Sequence, residues 1–99
     1  MSEMKILTVC GLGFGTSLIL KMTVNKVLTQ EGLRADVVHT DFGTAKSVAA
    51  DLYLVSSDMA QSFEEMGKNF APIKSVYDVE EVRKVLVPLV QKFYEEHPE

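Results

Sequence analysis

The chain has 99 residues, of which 46% are hydrophobic and 24% charged, with a formal net charge of -4 and one cysteine. That length suits one domain built on one core, so a single domain over 1–99 is expected. The negative balance argues against a nucleic-acid partner, which would call for a basic patch. A single cysteine excludes an internal disulfide and fits a reducing compartment. Glu3 and Lys5 precede a short apolar run, Ile6 to Val9, which is too short for a secretion signal. No stretch approaches the roughly 20 apolar residues of a membrane helix. A cytoplasmic protein is expected, one that would work at a membrane only by docking to something already there.

Met4 to Val9 reads as a buried strand, apolar at nearly every position after Lys5. A glycine-rich turn, Gly11 to Gly15, follows. From Ser17 the pattern becomes helical, with Leu20, Val24, Val27 and Leu28 on one stripe and Gly32 as a stop. Ala35 to His39 is a second strand, Phe42 to Ala50 a turn or short helix, and Leu52 to Val55 a third strand. Asp58 can cap a helix running to about Met66, with Gln61 three residues on and Gly67 closing it. Phe70 to Val76 is a fourth strand, and Pro72 within it predicts a sheet edge. Asp78 and Glu81 form a D-x-x-E capping arrangement for a last helix. Val79, Val82, Val85, Leu86, Leu89, Val90 and Phe93 make its apolar stripe, and Pro88 should kink or break it. This alternation predicts an α/β fold, a parallel sheet with helices on both faces. Ligands of such sheets sit at the carboxyl ends of the strands, where the turn after the first strand lies.

That turn is Val9-Cys10-Gly11-Leu12-Gly13-Phe14-Gly15-Thr16-Ser17. Alternating glycines let the backbone curl its N–H groups around an anion. The helix that follows adds free N–H groups and the positive end of its dipole. A tetrahedral oxyanion would be wrapped by donors with no cationic side chain. The same field favours the Cys10 thiolate, which is the nucleophile. A lone cysteine ending a buried strand is otherwise a small core residue, and glycines at this spacing do not by themselves indicate a nucleotide. A cysteine opening the turn together with Thr16-Ser17 closing it is far more specific. Cysteine-dependent phosphatases have an arginine at C-x5-R, and here that position is Thr16. Without the clamp, a phosphocysteine would hydrolyse slowly, as a carrier requires.

The run Ile6 to Ser17 resembles the IIB components of the bacterial phosphoenolpyruvate-dependent sugar phosphotransferase system, in the branch with the lactose, galactitol and ascorbate types. The likeness extends from Met4 to about Pro98. Leu18-Ile19-Leu20-Lys21-Met22, Leu28-Thr29-Gln30 and the acidic, histidine-containing tail look most like the ascorbate type. The resemblance implies a four-stranded parallel sheet similar to low-molecular-weight tyrosine phosphatases. It implies that Cys10 is phosphorylated by a phosphohistidine on a IIA protein. The group then passes to a sugar or ascorbate held by the membrane IIC component, or to galactitol or another polyol. Phe14 departs from the family, where a small or polar residue is more usual. The loop amides from Gly11 through Leu12, Gly13, Phe14, Gly15 and Thr16 to Ser17 would hold the equatorial phosphoryl oxygens. No metal or other cofactor is called for.

The hydroxyls of Thr16 and Ser17 read equally as phosphate donors or as helix caps. His39 reads as a strand-end polar residue, with a catalytic role the lesser reading. His97 reads as solvated. Asp41 and Ser56-Ser57-Asp58 follow strands two and three on the same edge. Asp58 is a cap before it is a general acid. Met22, Met59 and Met66 read as packing residues. Leu12 and Phe14 are candidates for partner docking, or else fold back onto the sheet edge. Two rivals to a phosphoryl carrier remain: a slow cysteine phosphatase and a noncatalytic anion-binding module. A redox role lacks a second cysteine.

Overall fold

Strand and helix alternate as the apolar runs dictate. The structure is a computed structural model that describes residues 3–9 and 14–96. In chain order it runs β1 (Lys5–Val9), α1 (Phe14–Glu31), β2 (Asp36–Thr40), α2 (Phe42–Ala45), β3 (Leu52–Ser56), a 3-10 turn (Ser57–Met59), α3 (Ala60–Met66), β4 (Phe70–Ile73) and α4 (Val79–Glu96). The sheet order is β2-β1-β3-β4, with every pairing parallel. Helices cover both faces, as the alternation predicts.

The two-residue period of the strands sorts the core into two layers. Ile6, Leu52, Leu54 and Ile73 face α1 and α4, where they meet Leu20, Val24, Val27, Val82, Leu86 and Val90. Leu7, Val9, Tyr53 and Val55 face the other way, onto Ala45 and Phe63. Phe63 is fully buried and stands 5.7 Å from Phe42, 5.6 Å from Tyr53 and 6.2 Å from Phe70 between ring centroids. Met59 and Met66 pack against this layer. Met22 does not behave as a packing residue, being 63% exposed on the outer side of α1.

Pro72 lies opposite Val55 on β4, an edge strand where its missing N–H breaks no ladder. Gly32 and Gly67 adopt φ of 68°, the left-handed conformation that ends α1 and α3. Pro88 does not break α4, which continues through it to Glu96. Pro88 and Lys84, whose carbonyl would have received the missing bond, are both on the exposed side. Water can therefore satisfy that carbonyl.

The capping arrangement divides its work. Asp78 Oδ1 accepts from the backbone N–H of Glu80 at 3.0 Å and of Glu81 at 3.2 Å. Glu81 reaches back past Asp78, accepting from the backbone N–H of Lys74 at 2.6 Å and of Ser75 at 2.9 Å. It thus pins the β4–α4 loop rather than closing a box. Asp78→Ala is expected to cost about 1 kcal/mol, read as a lowered urea midpoint. Glu81→Ala should also loosen the loop, seen as faster amide exchange at Lys74 and Ser75. Asp58 is no cap: α3 begins at Ala60 behind Met59, with no side-chain capping bond, and Asp58 sits within the 3-10 turn.

Candidate functional site

From β1 the chain crosses to β2 on one side, and later returns to β3 on the other. The crevice between these diverging connections opens beyond the carboxyl ends of β1 and β3, where open α/β sheets bind ligands. Val9 ends β1 there, and α1 starts over it at Phe14. Cys10, Gly11, Leu12 and Gly13 lie outside the described residues, as do His97 and Pro98.

α1 starts three residues before Ser17, the expected position. The amides of Phe14, Gly15 and Thr16 therefore precede the first intrahelical bond, and the positive dipole end lies closer to Cys10 in the chain. A Cβ added at Gly15 would meet nothing within 4 Å, so the described fold does not itself demand glycine there. Glycine is cheap in a first turn, where few helical bonds have formed, and the glycine run hid the true start of the helix.

Ser17 is consequently not the helix cap. It is fully buried, and its Oγ lies 3.3 Å from Nδ1 of His39. Thr8 Oγ1 donates to the Ser17 carbonyl at 3.0 Å. Thr8 and His39 are opposite one another in the β1–β2 register, which brings both beneath the first turn of α1. His39 thus does reach the crevice side of the sheet.

Thr16 lines a cavity of about 400 Å³ with Ile19, Ser56, Asp58, Lys74, Ser75 and Tyr77. Hydroxyls, one carboxylate and one ammonium share this space with an apolar wall. Asp41 also stands on the expected edge, where it caps α2 by accepting from the Thr44 backbone N–H at 3.3 Å. Hydrogen bonding from the Thr44 side chain, ahead of its other partners, holds the Asp41 carboxyl below the usual range. Lys74, Ser75 and Tyr77 did not stand out in the sequence. They follow β4, so the strand-end rule that selects Asp41 and Asp58 also covers them.

The two arginines of the chain are occupied elsewhere: Arg34 pairs with Glu3 at 3.3 Å and Arg83 with Glu31 at 3.2 Å. Among the described residues, Lys74 is the cation lining the cavity. Ile19 is 43%, Met22 63% and Tyr77 75% exposed, and they border an adjoining groove that includes Lys26. This apolar strip is continuous with the cavity through Ile19 and Tyr77. Among the described residues no helix is long and apolar enough to cross a membrane.

Residues 5–87 match the family described as the phosphotransferase system lactose/cellobiose-specific IIB subunit. The chain is 27% identical over 87 residues to the ascorbate-specific phosphotransferase EIIB component of Mycoplasma pneumoniae, covering 85% of this chain and 92% of that one. It is 37% identical over 68 residues to the EIIB component of the same description from Shigella dysenteriae serotype 1, covering 67% of each chain. In fold it is similar to the lactose-specific IIB component domain of Streptococcus pneumoniae, with a TM-score of 0.62 at 20% identity over 99% of this chain and 100% of that one.

Proposed function

We propose that this chain, which belongs to the lactose/cellobiose-specific IIB family of the phosphotransferase system, carries a phosphoryl group on Cys10. IIB components are phosphotransferases and work with IIA and IIC components. The observation that carries the reading is the placement of α1, whose first-turn amides at Phe14, Gly15 and Thr16 follow directly in sequence on Cys10–Gly13, after central strand β1.

In the first step the Cys10 thiolate forms an S–P bond as the N–P bond of a IIA phosphohistidine breaks, and the imidazole leaves with the electron pair. The amides from Gly11 to Thr16 hold the equatorial oxygens, where charge sits in a loose transition state, while the Ser17 amide is taken up by the helix. In the second step a substrate hydroxyl forms the O–P bond, the thiolate departs with the S–P electrons, and the hydroxyl proton passes to water. Thr16 stands where a phosphatase would place its arginine, and both arginines are committed to Glu3 and Glu31. Water attack on the phosphocysteine therefore lacks a bidentate clamp. The chain acts as one domain over 1–99 on the cytoplasmic side, docking to a membrane IIC component. Ile19, Met22 and Tyr77 supply apolar docking area beside the crevice.

Ascorbate is the favoured substrate, from the names of the relatives at 27% and 37% identity. Galactitol or another polyol is the alternative. The test is a transfer assay with phosphoenolpyruvate, the general phosphotransferase proteins, a IIA protein and membranes carrying a IIC component of each type. Phosphorylation of ascorbate, with lactose, cellobiose and galactitol left at background, is the expected result. Transfer to galactitol alone would replace the substrate. A chain that binds phosphate but never passes it on would be an anion-binding module.

A further inference from the structure

The Ser17–His39 contact joins two polar groups that the transfer scheme leaves without a stated task. Ser17 and Thr8 are both 0% exposed. Burying hydroxyls costs free energy unless each finds a partner, and an apolar pair would fill such a place more simply. One turn on, Leu20 and then Val24 make the same helix-to-sheet contact with apolar side chains. At Ser17 three elements instead converge through polar atoms. β1 supplies Thr8 Oγ1 to the Ser17 carbonyl at 3.0 Å, and β2 supplies His39 Nδ1 to the Ser17 hydroxyl at 3.3 Å. Thr8 and His39 are themselves register partners, so both contacts are set by one rung of the sheet.

We propose that His39 is a positioning residue for the phosphoryl loop, fixing through Nδ1 the direction in which the Ser17 hydroxyl donates. This rests on the reading of Cys10 as the phosphoryl carrier. A serine hydroxyl has one proton and two lone pairs, while each imidazole nitrogen donates or accepts according to its proton. With Nδ1 bare, Ser17 donates to the ring. With Nδ1 protonated, the ring donates to Oγ and the hydroxyl proton is turned toward another acceptor. In the second arrangement Ser17 becomes a donor for an anion seated at the start of α1, whether thiolate or phosphoryl oxygen. The bond from Thr8 holds the Ser17 backbone, so the change is confined to the hydroxyl. In this scheme His39 acts through Ser17.

The experiment compares the wild type with His39→Leu, His39→Asn, Ser17→Ala and the Ser17→Ala/His39→Leu double variant. Three readouts are taken: single-turnover phosphoryl transfer from a phosphorylated IIA protein, alkylation of Cys10 by iodoacetamide, and melting temperature. His39→Leu and Ser17→Ala should each slow transfer about tenfold, as loss of one buried hydrogen bond at the site would. His39→Asn, which restores a polar group near the Nδ1 position, should recover to within about threefold of wild type. The double variant should be no slower than Ser17→Ala alone, because the two act as one unit. Single effects that multiply in the double variant, or a His39→Leu chain as fast as wild type, would overturn the proposal. So would slowing that simply follows melting temperature across the four variants. If wild type takes no phosphoryl group from a donor shown to be phosphorylated, the carrier reading itself fails. The alkylation rates then decide: the same non-additive pattern upholds the His39–Ser17 linkage to Cys10, and additivity removes it.

Discussion

Cys10→Ser is expected to lower substrate phosphorylation through this chain by at least about a thousandfold, the scale on which loss of a nucleophile is felt. A helix N-terminus can draw a thiol into its ionised form near neutral pH. The same field falls far short of ionising a serine hydroxyl, and no general base in the loop compensates. The exchange of sulfur for oxygen leaves the size of the loop nearly unchanged, so the melting temperature should move by only a few degrees. The measurement is the rate of the coupled transfer assay beside a thermal melt. A variant that keeps more than a tenth of the wild-type rate while remaining folded would remove Cys10 from the reaction.

The second large effect falls on stability. Phe63→Ala is expected to cost about 3–5 kcal/mol, the range for deleting a buried aromatic side chain. Phe63 is fully buried and touches the rings of Phe42, Tyr53 and Phe70, so it joins α2, α3, β3 and β4 in the thinner of the two core layers. No long helix lies on that face to take up the loss, since α2 has 4 residues and α3 has 7. A domain of this size has only about 5–15 kcal/mol in total. Urea unfolding should show the loss as a lower midpoint at nearly unchanged slope. A change below about 1 kcal/mol would mean that this layer does not pack around Phe63. Phe63→Leu, which refills much of the space, should recover a good part of the loss.

The parts of the fold visible in the sequence were those written in apolar runs and backbone punctuation. Each strand lies where a short apolar run predicts it, Pro72 marks the edge, and Gly32 and Gly67 end their helices at positive φ. The misreadings share a cause: a local signal was outweighed by where the residue sits in three dimensions. Pro88 faces water, where a missing helical bond is tolerated. Asp58 resembles a cap, yet the chain enters α3 through a 3-10 turn that uses no side chain for the purpose. Met22 is apolar but lies on the outer side of α1.

The site divides in the same way. The strand-end rule led to the Cys10 turn, to Asp41 and to Asp58 without coordinates. The cavity wall from Lys74 to Tyr77 becomes apparent only when β4 is set beside β3, and it is held there by Glu81. Ser17 and His39 are 22 residues apart, and only the parallel register of β1 with β2 brings them together. Family resemblance supplied the phosphoryl chemistry; the fold adds that α1 already begins at Phe14, so its first turn spans Phe14, Gly15 and Thr16.

The most direct measurement is the intact mass of the chain after incubation with phosphoenolpyruvate, the general phosphotransferase proteins and a IIA protein, followed by fragmentation to find the modified residue. A gain of one phosphoryl group, located on Cys10, is the expected result. No gain beside a donor shown to be phosphorylated, or a gain on His39 or another residue, would contradict it.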